Sequence, residues 1–257
     1  MLTIAKQEEI LTKIALALEK NLQKFNSGGV VEELHQFRVK TKRVNALLSL
    51  VNACKPDSDL IIESKPLARL FKEAGKIRTA DLNISLMNKY GFTDEALQRE
   101  QYELLDRLVL IFKLDLDTKI RKLRKSLRKI RTKLFDIKND AVVAFCNDLI
   151  SSEIQFFSGT YHNSGLHENR KKIRHLLTAL KILNKRRTDQ LRVNVEYLYN
   201  LQLQIGEWHD LLMFATNFNG AGIENELLLQ NLNVQVNSKM SGINDMVLDF
   251  ENKLFLP

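Results

Sequence analysis

From its N-terminus onward the chain repeats one pattern with few interruptions, apolar residues three and four positions apart and charged residues on the other side of the same helical turns. The opening stretch, MLTIAKQEEILTKIALALEKNLQKF, already shows it, mixing acids and bases into an amphipathic helix. Turn residues cut the pattern into segments of helical length. The predicted helices span 2–25, 31–53, 58–74, 77–89 and 93–134, the last broken near Asp115, followed by 140–158, 165–184, 189–205, 207–218 and 222–254. The breaks are placed at 26–29, 55–58, Gly75, 90–93, 158–165, 185–189, Gly206 and 219–222. About eight to ten helices are expected. No alternation of Val, Ile and Thr is long enough to compete as a strand.

Composition agrees with this all-α reading, since only 3 prolines and 10 glycines interrupt stretches rich in Leu, Lys, Glu, Gln, Ala and Arg. With 257 residues, 44% of them hydrophobic, the chain can bury a sizeable core as one large or two modest domains. Apolar runs such as 108–112 and 141–146 stop far short of the roughly 20 residues of a membrane span. The N-terminal stretch lacks the apolar run of a signal peptide. A soluble, cytoplasmic protein without membrane partners is expected. Cys54 and Cys146 stand alone without metal-ligand spacing, as in a reducing compartment.

Charge adds the first functional content. Lys and Arg number 39 against 31 Asp and Glu, a net charge of +8. The excess lies early: 28 bases and 18 acids up to residue 139, then 11 and 13. Such asymmetry points to a polyanionic partner. The bases also repeat. LHQFRVKTKR at 34–43 aligns with LHENRKKIRH at 166–175, both reading Leu-His-x-x-Arg with further bases at matching offsets. Some forty residues on, each copy meets a glycine landmark, Gly75-Lys76-Ile77-Arg78 and Gly206-Glu207-Trp208-His209-Asp210. Agreement at two separated landmarks implies two related helical bundles, 1–138 and 139–257, about a pseudo-twofold axis.

On a helical wheel His35, Arg38, Lys42, Asn45 and Ser49 share one polar sector, opposite Phe37, Val44, Leu47, Leu48 and Val51. In the second copy His167, Arg170, Arg174 and Lys181 take the equivalent sector, opposite Ile173, Leu176, Ala179, Leu180 and Leu183. Bases opposite an apolar face are commonly plain solvated surface, but here the arrangement occurs twice and few acids interrupt it. The densest run, 119–133, has nine bases and no acid. Its apolar seam is Ile120, Leu123, Leu127, Ile130 and Leu134, flanked by Arg121, Arg124, Arg128 and Arg131, with Lys122, Lys125, Lys129 and Lys133 beyond. Guanidinium groups grip phosphate with paired hydrogen bonds, so the arginine row is the best candidate for direct contact. No aromatic lies between 113 and 134 to stack nucleic-acid bases, so phosphates are the expected target. The seam is too narrow for membrane attachment.

These residues resemble the CHAD family, the conserved histidine α-helical domain. The resemblance rests on His35-x-x-Arg38-Val39-x-x-Lys42-Arg43, its second copy from His167, and the glycine landmarks, with 206–210 similar to the family's Leu-Gly-x-x-x-Asp element. It implies two four-helix bundles about a pseudo-twofold, a basic central groove or pore, and binding of inorganic polyphosphate, with polyphosphate granules as a recruiting site. The chain departs from the family at Asn45 and Leu177, where another arginine is common, and at Thr79, where Asp is. The candidate anion contacts are His35, Arg38, Lys42, Arg43, Arg78, Arg121, Arg124, Lys125, Arg128, Arg131, His167, Arg170, Lys171, Arg174 and Lys181. Lys72, Lys76, Arg186, Arg187 and Arg192 are possible extensions or plain surface.

Two other classes stand beside polyphosphate binding. General RNA or DNA binding predicts that nucleic acid wins in competition. Phosphoryl transfer would need carboxylates to hold Mg²⁺, and no such pattern, Walker-type loop or E-x-E-x-K signature is found; 224–228 lacks the lysine. Glu207, His209 and Asp210 are assigned to helix termination and packing. No catalytic residue, metal or cofactor is expected, and His167-Glu168 lacks the second histidine of a zincin helix.

Overall fold

The structure, a computed structural model, describes residues 1–256 apart from 29, 57–58, 93, 160–162, 184 and 220–225, and leaves aside the side chains of 185–187, 219 and 226–228. The chain divides into two compact units, Met1–Ile137 and Lys138–Pro257. Among the described residues there is no strand beyond two isolated bridges.

The first unit consists of α1 (Ile4–Asn26), α2 (Val31–Cys54), α3 (Leu60–Glu63), α4 (Lys65–Tyr90), α5 (Glu95–Lys113) and α6 (Leu116–Arg131). Local chemistry sets several ends. Thr3 caps α1 by accepting from the Lys6 amide, Asp94 caps α5 by accepting from Leu97, and Gly91 ends α4 in the left-handed region. Asp115, also left-handed at φ 59°, makes the expected break between α5 and α6. α1 packs on α2 and α6, and α4 packs on α2, α5 and α6. The unit is closed by its own ends: Leu2 and Ile137 exchange backbone hydrogen bonds at 2.8 and 3.0 Å, and the buried Gln7 amide donates to Leu2 and Phe135 carbonyls.

The second unit consists of α7 (Asn139–Ser158), a 3-10 turn at Asn163–Gly165, α8 (Leu166–Ile182), α9 (Lys185–Leu191), α10 (Val195–Asn219), α11 (Glu226–Val247) and α12 (Phe250–Leu254). α8 packs between α7 and α10, α10 on α11, and α12 on α7. Its last residues are likewise pinned, Asn194 donating to Leu254 and Leu256 to Arg192, at 2.7 and 2.6 Å.

The apolar faces lie where the wheels place them: the five named residues of α2, the five that run from α8 to Leu183, and the five of the α6 seam to Leu134 are all 8% exposed or less. Three expected breaks are absent. Residues 185–189 lie within α9 rather than in a turn, and both α4 and α10 run straight through Gly75 and Gly206. A glycine inside a helix costs only about 1 kcal/mol relative to alanine, too little to end a helix packed on both flanks. The break assigned to 219–222 and the 224–228 segment fall largely outside the described residues.

Candidate functional site

The basic side of α2 faces α4, and its motif arginine reaches that helix's backbone. Arg38 Nη1 donates to the Phe71 carbonyl at 2.5 Å, with the guanidinium carbon 4.0 Å from the centre of the Phe71 ring. Room for it exists because residue 75 is glycine: a Cβ there would lie 2.5 Å from Nη1 and 3.2 Å from Cζ. His35, half-buried on the preceding turn, is pushed below the ordinary histidine range by burial first and by the Arg78 charge second. Arg78 is ion-paired with Asp81 on the next turn of α4. Lys42 is half-buried and adds to the charge on His35, whereas Arg43 is exposed.

The second unit repeats the joint in detail. Arg170 Nε donates to the Gln202 carbonyl at 3.0 Å, and a Cβ on Gly206 would lie 2.1 Å from its Nη2 and 2.4 Å from Cζ. In both units the arginine takes the carbonyl four residues before the glycine. His209 takes the place that Arg78 has in the first unit, three residues after the glycine, and its ring stacks on His167 with centroids 4.5 Å apart. His167 Nδ1 is buried without a hydrogen-bond partner. Burial, then His209 and Lys171, push its pKa down. Arg174 has no carboxylate partner among the described residues. Burial and then the neighbouring Arg170 charge push it down to about 10, still a cation at neutral pH. Lys171 pairs with Glu168 on its own helix, and Lys181 is exposed.

α6 divides its cations by direction. On one flank the Arg124 Nε and Nη2 donate to Glu19 of α1 at 2.9 and 2.8 Å, and Arg131 Nη2 donates to Thr12 Oγ1. On the other flank Lys129 pairs with Glu63 and Lys133, just past the helix, with Asp59. Neighbouring segments thus supply acids that the run itself lacks, which offsets the repulsion among its like charges. Between the flanks Arg121, Lys125 and Arg128 form an exposed row with no carboxylate partner among the described residues. Sequence reasoning placed the arginines together on one side; the packing assigns Arg124 and Arg131 to α1.

A family model of the CHAD domain matches residues 9–218. The chain belongs to the CHAD family. No curated protein and no solved structure matches it. The arginine–glycine joint of this CHAD chain went unread in the sequence, although its signal was there: each motif arginine precedes its landmark glycine by almost the same interval. Glu207, His209 and Asp210 do not end a helix, because α10 continues to Asn219. Glu207 instead pairs with Lys239 of α11 at 2.8 Å, and His209 stacks on His167. Among the described residues no three His, Cys, Asp or Glu gather as metal ligands would, and no helix is long and apolar enough to cross a membrane.

Proposed function

We propose that this CHAD chain binds inorganic polyphosphate, without catalysing a reaction on it, through the cationic faces of α2, α6 and α8. The observation that carries the reading is the row Arg121, Lys125 and Arg128. The flanking bases Arg124, Lys129 and Lys133 pair with Glu19, Glu63 and Asp59, while the row itself meets no acid among the described residues. Polyphosphate is a flexible anion with no bases to read, so rows of Arg and Lys suffice to recognise it. Family membership supports the same ligand. The motif copies in sequence support the rest of the reading, in which one four-helix plan occurs twice about a pseudo-twofold with a basic groove. Arg38 and Arg170 then serve chiefly by positioning the helices that carry His35, Lys42, His167 and Arg174. A cytoplasmic protein drawn to polyphosphate granules, with nucleic acid as the weaker competitor, completes the proposal.

The test is fluorescence polarisation with labelled long-chain polyphosphate at physiological salt, competed by RNA and DNA of matched charge. The expected result is binding that nucleic acid displaces poorly and that Arg121→Glu/Lys125→Glu/Arg128→Glu weakens at least tenfold. Equal displacement by RNA would replace the reading with general polyanion binding.

Binding should also tighten as pH falls. His35 and His167 are held neutral at pH 7 by burial and by nearby cations, and a bound anion opposes both neighbours' charge and so favours protonation. Affinity is expected to rise by about three- to tenfold between roughly pH 7.5 and pH 5.5. His35→Gln/His167→Gln should flatten that dependence; an unchanged ratio in the variant would rule the histidines out as its source.

A further inference from the structure

A second basic site lies on another face of α4. Between the N-terminal half of α4 and the first turns of α6 is a cavity of about 290 Å³, walled by Lys65, Arg69 and Glu73 on one side and Thr118, Lys119 and Lys122 on the other. Lys65, Arg69 and Glu73 succeed one another at intervals of four along α4, on a different face from Phe71 and Gly75, which hold Arg38. The cavity is therefore separate from the motif joint. Lys119 is spent locally, with its ammonium 3.1 Å from Glu73 and donating to the Phe112 carbonyl at 3.0 Å. That leaves Lys65, Arg69 and Lys122 converging on the same space, with no carboxylate partner among the described residues. Asp115 is the one acid of the lining besides Glu73.

We propose that this cavity is a seat for a short condensed phosphate. Lys65, Arg69 and Lys122 are exposed cations from two helices that line one cavity without a carboxylate partner among the described residues, and like charges brought together are stabilised by an anion held among them. Arg69 offers a planar fork for phosphate oxygens, and Lys65 and Lys122 are mobile point charges on either side. Thr118 Oγ1 accepts from Arg121 and keeps its own proton to donate. The volume is at the lower edge of the roughly 300–1,000 Å³ of small-ligand pockets, and the walls offer no aromatic ring for a nucleobase to stack on. A few linked phosphates fit this description better than a nucleotide does. The inference shares its ligand chemistry with the polyphosphate reading but rests on different residues.

The experiment is calorimetric titration of the full chain with tripolyphosphate, with ATP and long-chain polyphosphate measured alongside. Wild type should bind tripolyphosphate. Lys65→Glu/Arg69→Glu should weaken it at least tenfold, and Lys65→Gln/Arg69→Gln by less. Arg99→Glu/Arg107→Glu, which makes the same change of charge at exposed positions of α5, should stay within about threefold of wild type. Circular dichroism confirms that each variant is folded; both positions are exposed. No binding by wild type, equal weakening by the two charge-reversed variants, or ATP binding as tightly as tripolyphosphate would each overturn the assignment. Failure of long-chain polyphosphate alone, with tripolyphosphate bound as expected, would undo the reading above and leave the seat standing.

Discussion

Unfolded with urea at increasing pH, the protein should lose about 3 kcal/mol of stability between roughly pH 5.5 and pH 8, and Glu153→Gln should remove most of that loss. Glu153 lies on the inward face of α7 with Val142, Cys146, Ile150 and Phe157, and is 0% exposed. Neither carboxyl oxygen has a hydrogen-bond partner. Burial pushes its pKa from 4.5 up to about 8, against a smaller downward pull from Lys172. The folded state therefore holds this proton more tightly than the unfolded chain does. Its contribution is intact below about pH 4.5 and is lost as pH climbs through 8. Urea midpoints of wild type and Glu153→Gln at the two pH values measure the effect. A wild type with the same midpoint at both would mean that a partner stabilises the ionised carboxylate after all.

The second large effect concerns the arginine–glycine joint, and here the expected sign is unusual. Gly→Ala inside a helix normally stabilises by about 0.5–1 kcal/mol. Gly206→Ala should instead destabilise by about 1–2 kcal/mol, because the new methyl group would stand 2.1 Å from Arg170 Nη2 and evict the guanidinium from the Gln202 carbonyl. A charged hydrogen bond of that kind is worth about 1.5–3 kcal/mol, which outweighs the gain in helix propensity. In an Arg170→Ala background the obstacle is gone, and Gly206→Ala should revert to stabilising by about 1 kcal/mol. Thermal or urea unfolding of the four proteins closes the cycle. Additive changes would show that the side chain swings aside without cost and that the joint holds nothing.

The two effects mark the limit of what is legible in the residues alone. The apolar faces of α2, α6 and α8 can be read directly, because burial imposes a period of 3.6 that leaves a trace in every turn. The separation of 115 from its flanking helices is equally plain. For Arg38 and Arg170 the pattern is silent on the carbonyl each meets, because a base on a polar stripe has the same local pattern whether it meets solvent, an anion or a carbonyl on another helix. The glycines mislead for a related reason: their missing Cβ makes way for a side chain more than thirty residues distant in sequence, and local punctuation rules see only the backbone. The acids beside α6 are invisible for the same cause, since Glu19, Asp59 and Glu63 come from α1, the connection before α3 and α3. Lys65 and Arg69 carry no motif at all and gain meaning only from what α6 places opposite them.

Helix α6 is fastened on both flanks, to α1 through Arg124 and Arg131 and to the α3 segment through Lys129 and Ser126, whose hydroxyl donates to the Glu63 carbonyl. Its exposed row is consequently a rigid scale. From Arg121 to Arg128 is seven residues at 1.5 Å each, about 10 Å along the axis. An anion shorter than that touches one end or the other, and a longer one touches both while surrendering its freedom once. Affinity for a graded series of linear anions should therefore climb with length until the span is covered and then level off, so that the row acts as a ruler for its ligand.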